Sequence, residues 1–221
     1  MLRSLLLILV MQAGAVHGQA PVDPDSLRRR IIKEAVDILE NSEISYIYGG
    51  SRQGTPDECE RCNQCLAMAG KAREGKGKAL QACPGCNRCS LDCSHFTSLV
   101  YRRSGLSAPY LTTEYMRRLA PATLLHRYHL MVVGQDPRLA LPGDLLVYRG
   151  HVVLLEKLRK EGRGDLIHAT SGKDLRGPGM GIQRERYADL GRFRGPLQRV
   201  LRHGMLVVKR PGEKRRFRPV P

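Results

Sequence analysis

From Leu27 onward apolar residues return every three or four positions, at Leu27, Ile31, Ala35, Ile38 and Leu39. The preceding Asp23-Pro24-Asp25-Ser26 supplies short polar side chains suited to a helix start, and the spacing predicts an amphipathic helix over 26–40. Glu43 to Tyr48 (EISYIY) reads as a short extended stretch ended by Gly49-Gly50. Apolar periodicity then fades from 51 to 91 and resumes at Asp92-Cys93-Ser94. There Phe96, Leu99, Val100 and Arg103 share one side of a second helix that stops at Gly105. A further short helix is predicted from Thr112 to Leu119. After Pro142-Gly143-Asp144, the runs LLVY and HVVLLE meet at Arg149-Gly150, as in an antiparallel hairpin. DLIHA (165–169) and MLVVK (205–209) are additional strand candidates. Helices first and an antiparallel sheet afterwards predict an α+β fold.

Composition narrows the class. The chain has 221 residues, 42% hydrophobic and 26% charged, which excludes a disordered, collagen-like or polytopic membrane protein and suggests one domain carrying an insertion or a tail. Lys and Arg total 37 against 21 Asp and Glu, a formal charge of +16, which favours a polyanionic partner: nucleic acid, an anionic membrane face or an acidic cell-wall polymer. The N-terminus chooses among these. Met1-Leu2-Arg3, the apolar run Ser4–Met11 and the small residues Gly18 and Ala20 have the layout of a secretory signal peptide over 1–20. Export to the periplasm or the exterior disfavours nucleic acid and makes the wall polymer the better partner. No Cys follows the cut, and no later segment reaches the ~18 apolar residues of a membrane span, so no lipid or transmembrane anchor is expected. The catalytic domain is placed at 21–210, with a basic tail at 211–221, and the mature protein is expected to be a monomer.

Cys93 carries the candidate chemistry. In the first turn of a helix capped by Asp92, its sulfur meets the positive end of the helix dipole, and the thiol pKa is expected to fall. His151, starting a strand after a tight turn, is the candidate base. His168, in the neighbouring strand, is positioned to accept the Nδ1–H of His151 and orient it.

The chain resembles the NlpC-type cell-wall cysteine peptidases. The matching residues are Tyr46-Ile47-Tyr48-Gly49-Gly50, Leu91-Asp92-Cys93-Ser94 followed by FTSLVYRRSGL, LPGDLLVY (141–148), Gly150-His151-Val152-Val153 and Leu166-Ile167-His168-Ala169. The resemblance runs from about residue 27 to 208 and implies a papain-like fold, with N-terminal helices packed on a central antiparallel sheet. It implies Cys93 as nucleophile, His151 as base and His168 as orienting residue. Tyr46 and the Cys93 N–H would serve the oxyanion, and Ser94 is grouped with that oxyanion and substrate set. The implied substrate is the peptidoglycan stem peptide, most often cut between D-glutamate and the diamino acid, with no cofactor required.

The chain departs from the family pattern at two places. His95 stands where the family usually has Gly; it is read as a helix-surface residue of the groove in preference to a rival base. His126, His129 and His203 match no motif and are expected to be solvated. The larger departure is the insertion, 51–91, which holds Cys59, Cys62, Cys65, Cys83, Cys86 and Cys89. In an exported chain these favour disulfides, with fifteen possible full pairings. A structural zinc on Cys62, Cys65, Cys83 and Cys86 fits a ribbon spacing. An iron–sulfur reading of Cys83, Cys86, Cys89 and Cys93 would remove the nucleophile. Lying just before Cys93, the insertion is expected to gate or shape substrate access. The alternatives in function are a non-catalytic exported metal- or wall-binding module of the same fold, and a related amidase or acyltransferase.

Overall fold

The computed structural model describes residues 23–41, 43–73, 78–171 and 181–207; the signal segment and basic tail read from the sequence lie outside them. Helix α1 spans Pro24–Asn41, longer than predicted at its start because Asp23 accepts from the Ser26 N–H at 2.9 Å and so caps it. Its stripe of Leu27, Ile31, Ala35 and Ile38 is buried. The extended stretch contributes only the two-residue strand β1 (Ser45–Tyr46). It pairs parallel with β3 (Ser90–Leu91), and β3 in turn pairs antiparallel with β2 (Ser51–Arg52). The turn between β1 and β2 needs its glycines: Gly49 has φ 84°, and a Cβ on Gly50 would lie 2.8 Å from that of Ser90.

Helix α4 (Cys93–Arg103) is capped by Asp92 and followed by Gly105 at φ 77°, as its sequence predicts. Two short helices follow, α5 (Thr113–Arg118) and α6 (Pro121–Tyr128). The main sheet has six strands in the order β4-β9-β5-β6-β7-β8, every neighbouring pair antiparallel. They are β4 (Leu130–Gly134), β5 (Leu145–Tyr148), β6 (His151–Leu158), β7 (Arg163–Ala169), β8 (Ile182–Asp189) and β9 (Arg199–His203). The predicted hairpin is β5–β6, with Tyr148 opposite His151 and Gly150 at φ 76° in the turn. The strand predicted at 205–209 is not there. The chain pairs six residues earlier, as β9, and Gly204–Leu206 forms a 3₁₀ turn, while 208 and 209 lie outside the described residues.

Both faces of the central strands β5, β6 and β7 are buried over most of their length. Leu145, Val147, Val152, Leu154, Ile167, Ala169 and Leu201 join α1 and α4 in the larger core. Their alternates Leu146, Tyr148, Val153, Leu155, Leu166 and Val200 form a second core with Leu190 and Leu197. Burial on both faces explains why these strands read as continuous apolar runs. Asp144, wholly buried at the head of β5, ties the layers together. It accepts from Arg28 at 3.2 Å, from Arg202 at 2.7 Å and from the Leu141 N–H at 2.8 Å. Tyr101 of α4 donates to the neighbouring Gly143 carbonyl at 2.8 Å. The Pro-Gly-Asp motif is thus the joint at which α1, α4 and the sheet are registered.

The insertion is more regular than its sequence suggests. Helix α2 (Pro56–Ala69) fills its first half, started by a capping box in which Thr55 and Glu58 each accept from the other's backbone N–H. Cys59, Cys62 and Leu66 are its buried positions, so the cysteines themselves carry the helical period. The returning segment, α3 (Lys78–Ala82) and a 3₁₀ turn at Pro84–Arg88, is bridged to it by Cys59–Cys89, Cys62–Cys86 and Cys65–Cys83. The two triplets pair in reverse order, as nested rungs. Six sulfurs bonded to one another leave no thiolate for zinc, and the iron–sulfur reading fails because Cys83, Cys86 and Cys89 are bridged while Cys93 is free. Among the described residues no cluster of His, Cys, Asp or Glu is arranged to hold a metal ion. Among them, too, no helix is long and apolar enough to cross a membrane.

Candidate active site

Asp92 organises the entrance to α4. Its Oδ1 accepts from the His95 N–H at 2.8 Å and from the Ser94 hydroxyl at 2.9 Å, and its Oδ2 accepts from the Gly49 N–H at 3.3 Å. Burial would raise this carboxyl, but its bonds to His95 and Ser94 hold it below the usual carboxylate range. One side chain therefore caps the helix and fastens the Tyr-Gly-Gly turn to it. The hydroxyl of Ser94 donates to Asp92 and lies 3.3 Å from the Tyr110 hydroxyl. His95 stacks on Tyr110 with ring centroids 3.8 Å apart, and its Nδ1 lies 3.0 Å from Asp92 Oδ1; it belongs to the cap and not to the sulfur.

Cys93 is the free cysteine among the described residues and is 5% exposed. Its Sγ lies 3.6 Å from the Thr113 hydroxyl of α5, and the backbone of Val152, the residue directly after His151, acts on the thiol to favour its charged form. The thiol does not behave as its helix position predicts. Burial pushes it up, Asp92 adds to the rise, and the Thr113 side chain and the backbone of Val152 and Ser94 only partly oppose it. Desolvation outweighs the dipole, so the resting group is a thiol.

The two imidazoles do come together. His151 Nε2 and His168 Nδ1 are 2.7 Å apart, with the rings edge to face at a centroid distance of 5.0 Å. The expected nitrogen is reversed: His151 meets its neighbour through Nε2, which leaves Nδ1 as its second nitrogen. His168 is fully buried, and the ring of Phe193 stands 5.3 Å from it. Burial takes His151 down to about 3, with His168 and Arg194 adding to the fall, and takes His168 down to about 4, with Arg194 again contributing. Both rings are neutral at ordinary pH.

A cleft of about 560 Å³ opens beside the pair, lined by Tyr46, Arg149, His151, Thr170, Phe193 and Arg194 among others. Tyr46 is half-buried; burial raises its phenol, and the nearby Cys93 and Asp92 raise it further. Arg194 donates to the Thr170 hydroxyl at 3.1 Å. Sequence reasoning missed Thr113, Tyr110, Phe193 and Arg194. Thr113 was visible only as part of a helix start, and Phe193-Arg194 lies in a Gly- and Arg-rich stretch without periodicity. The other unassigned histidines divide: His126 and His129 are exposed, whereas His203 is 2% exposed, against expectation. It bonds the Ser107 carbonyl through Nε2 at 3.0 Å and accepts from the Met205 N–H at 3.2 Å, a structural role at the end of β9.

The insertion touches this site through the strand that carries Tyr46. Asn63 of α2 donates to the Glu43 carbonyl at 3.1 Å and hydrogen-bonds the Ser45 hydroxyl, and Ile47 packs among Cys62, Leu66, Cys83 and Cys86. No protein-family model matches the chain, and no curated protein matches it as a relative.

Proposed function

We propose that the protein is an exported cysteine peptidase that hydrolyses peptidoglycan stem peptides, with the D-glutamyl–diamino acid bond as its target. Cys93 acts as nucleophile, His151 as base and His168 as the residue that orients the base. The observation that carries this reading is the 2.7 Å contact between two buried neutral imidazoles, one of them adjacent in sequence to Val152, whose backbone counters the rise of the free Cys93 thiol at the start of α4. Buried histidines bonded to one another at the end of two strands, beside a cleft, are an expensive arrangement for a purely structural interior.

The chemistry follows from the protonation states. Thiol and imidazole are both uncharged at rest, so the S–H proton passes to His151 Nδ1 as the sulfur attacks the amide carbonyl. The new imidazolium is shared with His168 through the Nε2–Nδ1 contact. The Cys93 N–H at the start of α4 and the Tyr46 hydroxyl stabilise the oxyanion. His151 then protonates the departing amine, the carbonyl re-forms as a thioester, and water activated by the same imidazole releases the acid and regenerates the thiol. Arg149 and Arg194 at the cleft, within a chain of net charge +16, suit an anionic wall polymer.

Incubating purified sacculi with the wild type and with Cys93→Ala tests this directly. Soluble muropeptides released by the wild type and absent with the variant support the peptidase. Sacculi bound but uncut by both proteins would assign the chain to the binding-module class.

A further inference from the structure

The histidine pair includes one of the buried polar atoms that lack a hydrogen bond among the described residues. His168 Nε2 is inaccessible to solvent and unpartnered, although its ring is fully buried and its other nitrogen is bonded. The charged group facing it is Glu185 of β8, whose Oε1 is 3.9 Å away, about 1 Å beyond an ordinary N–H···O bond. The register explains the meeting. Glu185 lies opposite Leu166 in the β7–β8 ladder, and His168 is two residues further along the same face, so the two are diagonal cross-strand neighbours. Glu185 is 46% exposed, which leaves its carboxylate room to move toward the ring.

The tautomers give this contact its meaning. Only one hydrogen can lie between His151 Nε2 and His168 Nδ1. If His168 donates it, His151 carries its own proton on Nδ1 and has no lone pair to offer a thiol. If His151 donates it, His151 Nδ1 is free to act as base, and the neutral His168 must carry its proton on Nε2. The productive arrangement therefore places an N–H at the unpartnered position, facing a group that can only accept.

We propose that Glu185 is a positioning residue, whose carboxylate accepts the Nε2–H of His168 and so holds the His151–His168 pair in the tautomer that frees His151 Nδ1. This rests on the reading of His151 as the base, but its first test does not. The readout is the ring ¹⁵N spectrum of His168 in full-length mature protein, wild type against Glu185→Gln and Glu185→Ala, with the unchanged thermal transition of each variant establishing that it is folded. The wild type should show His168 protonated at Nε2. In both variants a detectable fraction should shift to Nδ1–H, because the selecting acceptor is replaced by an amide that can donate or by nothing. On a cleaved muropeptide, kcat should fall about tenfold or more with KM little changed, as when the orienting partner of a catalytic imidazole is lost, and Glu185→Asp should recover part of the loss. An unaltered His168 tautomer in both variants overturns the proposal even if the protein cleaves muropeptides. A shifted tautomer in a protein that cleaves nothing sustains the positioning role and overturns the peptidase reading instead.

Discussion

The core beneath α2 consists of Ile47, Leu66 and the bridged Cys62, Cys83 and Cys86, with Ala69, Ala79 and Leu80 only partly buried around it. The six-stranded sheet, by contrast, buries Leu, Val, Ile and Tyr side chains on both faces of β5, β6 and β7. The first region contains too little apolar surface to offset the entropy of ordering its residues, and its three rungs make up the difference by restricting the unfolded chain. The second needs no covalent help, because removing large apolar side chains from water supplies the stabilisation. The two regions therefore answer to different perturbations, although they meet at the strand carrying Tyr46.

The sharpest way to break the comparison is to replace all six bridged cysteines by Ser. Each rung closes 18 to 30 residues and contributes about 3 kcal/mol by loop closure, so the ladder region should lose its fold while the sheet keeps its own. Hydrogen exchange is expected to show α2 unprotected and β5–β7 still protected; equal loss in both would mean the regions fold as one unit. The converse perturbation is Asp144→Ala, which leaves Arg28 and Arg202 without their buried carboxylate. It should cost about 3–5 kcal/mol in urea unfolding and leave the disulfide-held α2 the last element to exchange.

Acid should discriminate next. His151 and His168 are held near 3 and 4, well under their ordinary 6.5, so between those limits the unfolded chain binds protons that the folded one refuses. Stability should then be complete above about pH 6.5 and fall toward pH 4 by about 1.4 kcal/mol per pH unit for each histidine. Urea midpoints measured from pH 7.5 to 4.5 check this, and His168→Gln should flatten the slope. The smallest effect concerns Cys93, whose raised pKa predicts iodoacetamide alkylation slower than that of a free thiol at pH 7, quickening only in alkali. Rapid alkylation at neutral pH would indicate a preformed thiolate.

Much of the sheet domain was legible because its local signals agree with its packing. The stripe of α1, the Asp92 cap and the Gly150 turn are each short-range features that tertiary contacts reinforce. Strand β8 and β4 were missed for the opposite reason. Ile182–Asp189 is mostly polar and only partly buried, and Leu130–Gly134 is bulged against β9. Helix α2 was hidden by its own cysteines, which were weighed as ligands or bridges rather than as the apolar positions of a helix.

The order of residue types along the chain was enough to single out Cys93, His151 and His168, because helix capping, tight turns and alternation act over a few neighbours and leave a local trace. Three things belonged to the tertiary structure alone: the pairing of six cysteines into nested rungs, the rise of the Cys93 thiol, and the choice of Nε2 over Nδ1 at His151. Each depends on distance and burial between segments far apart in sequence. Solvation and hydrogen-bond partners there are set only once the sheet and helices have closed on one another.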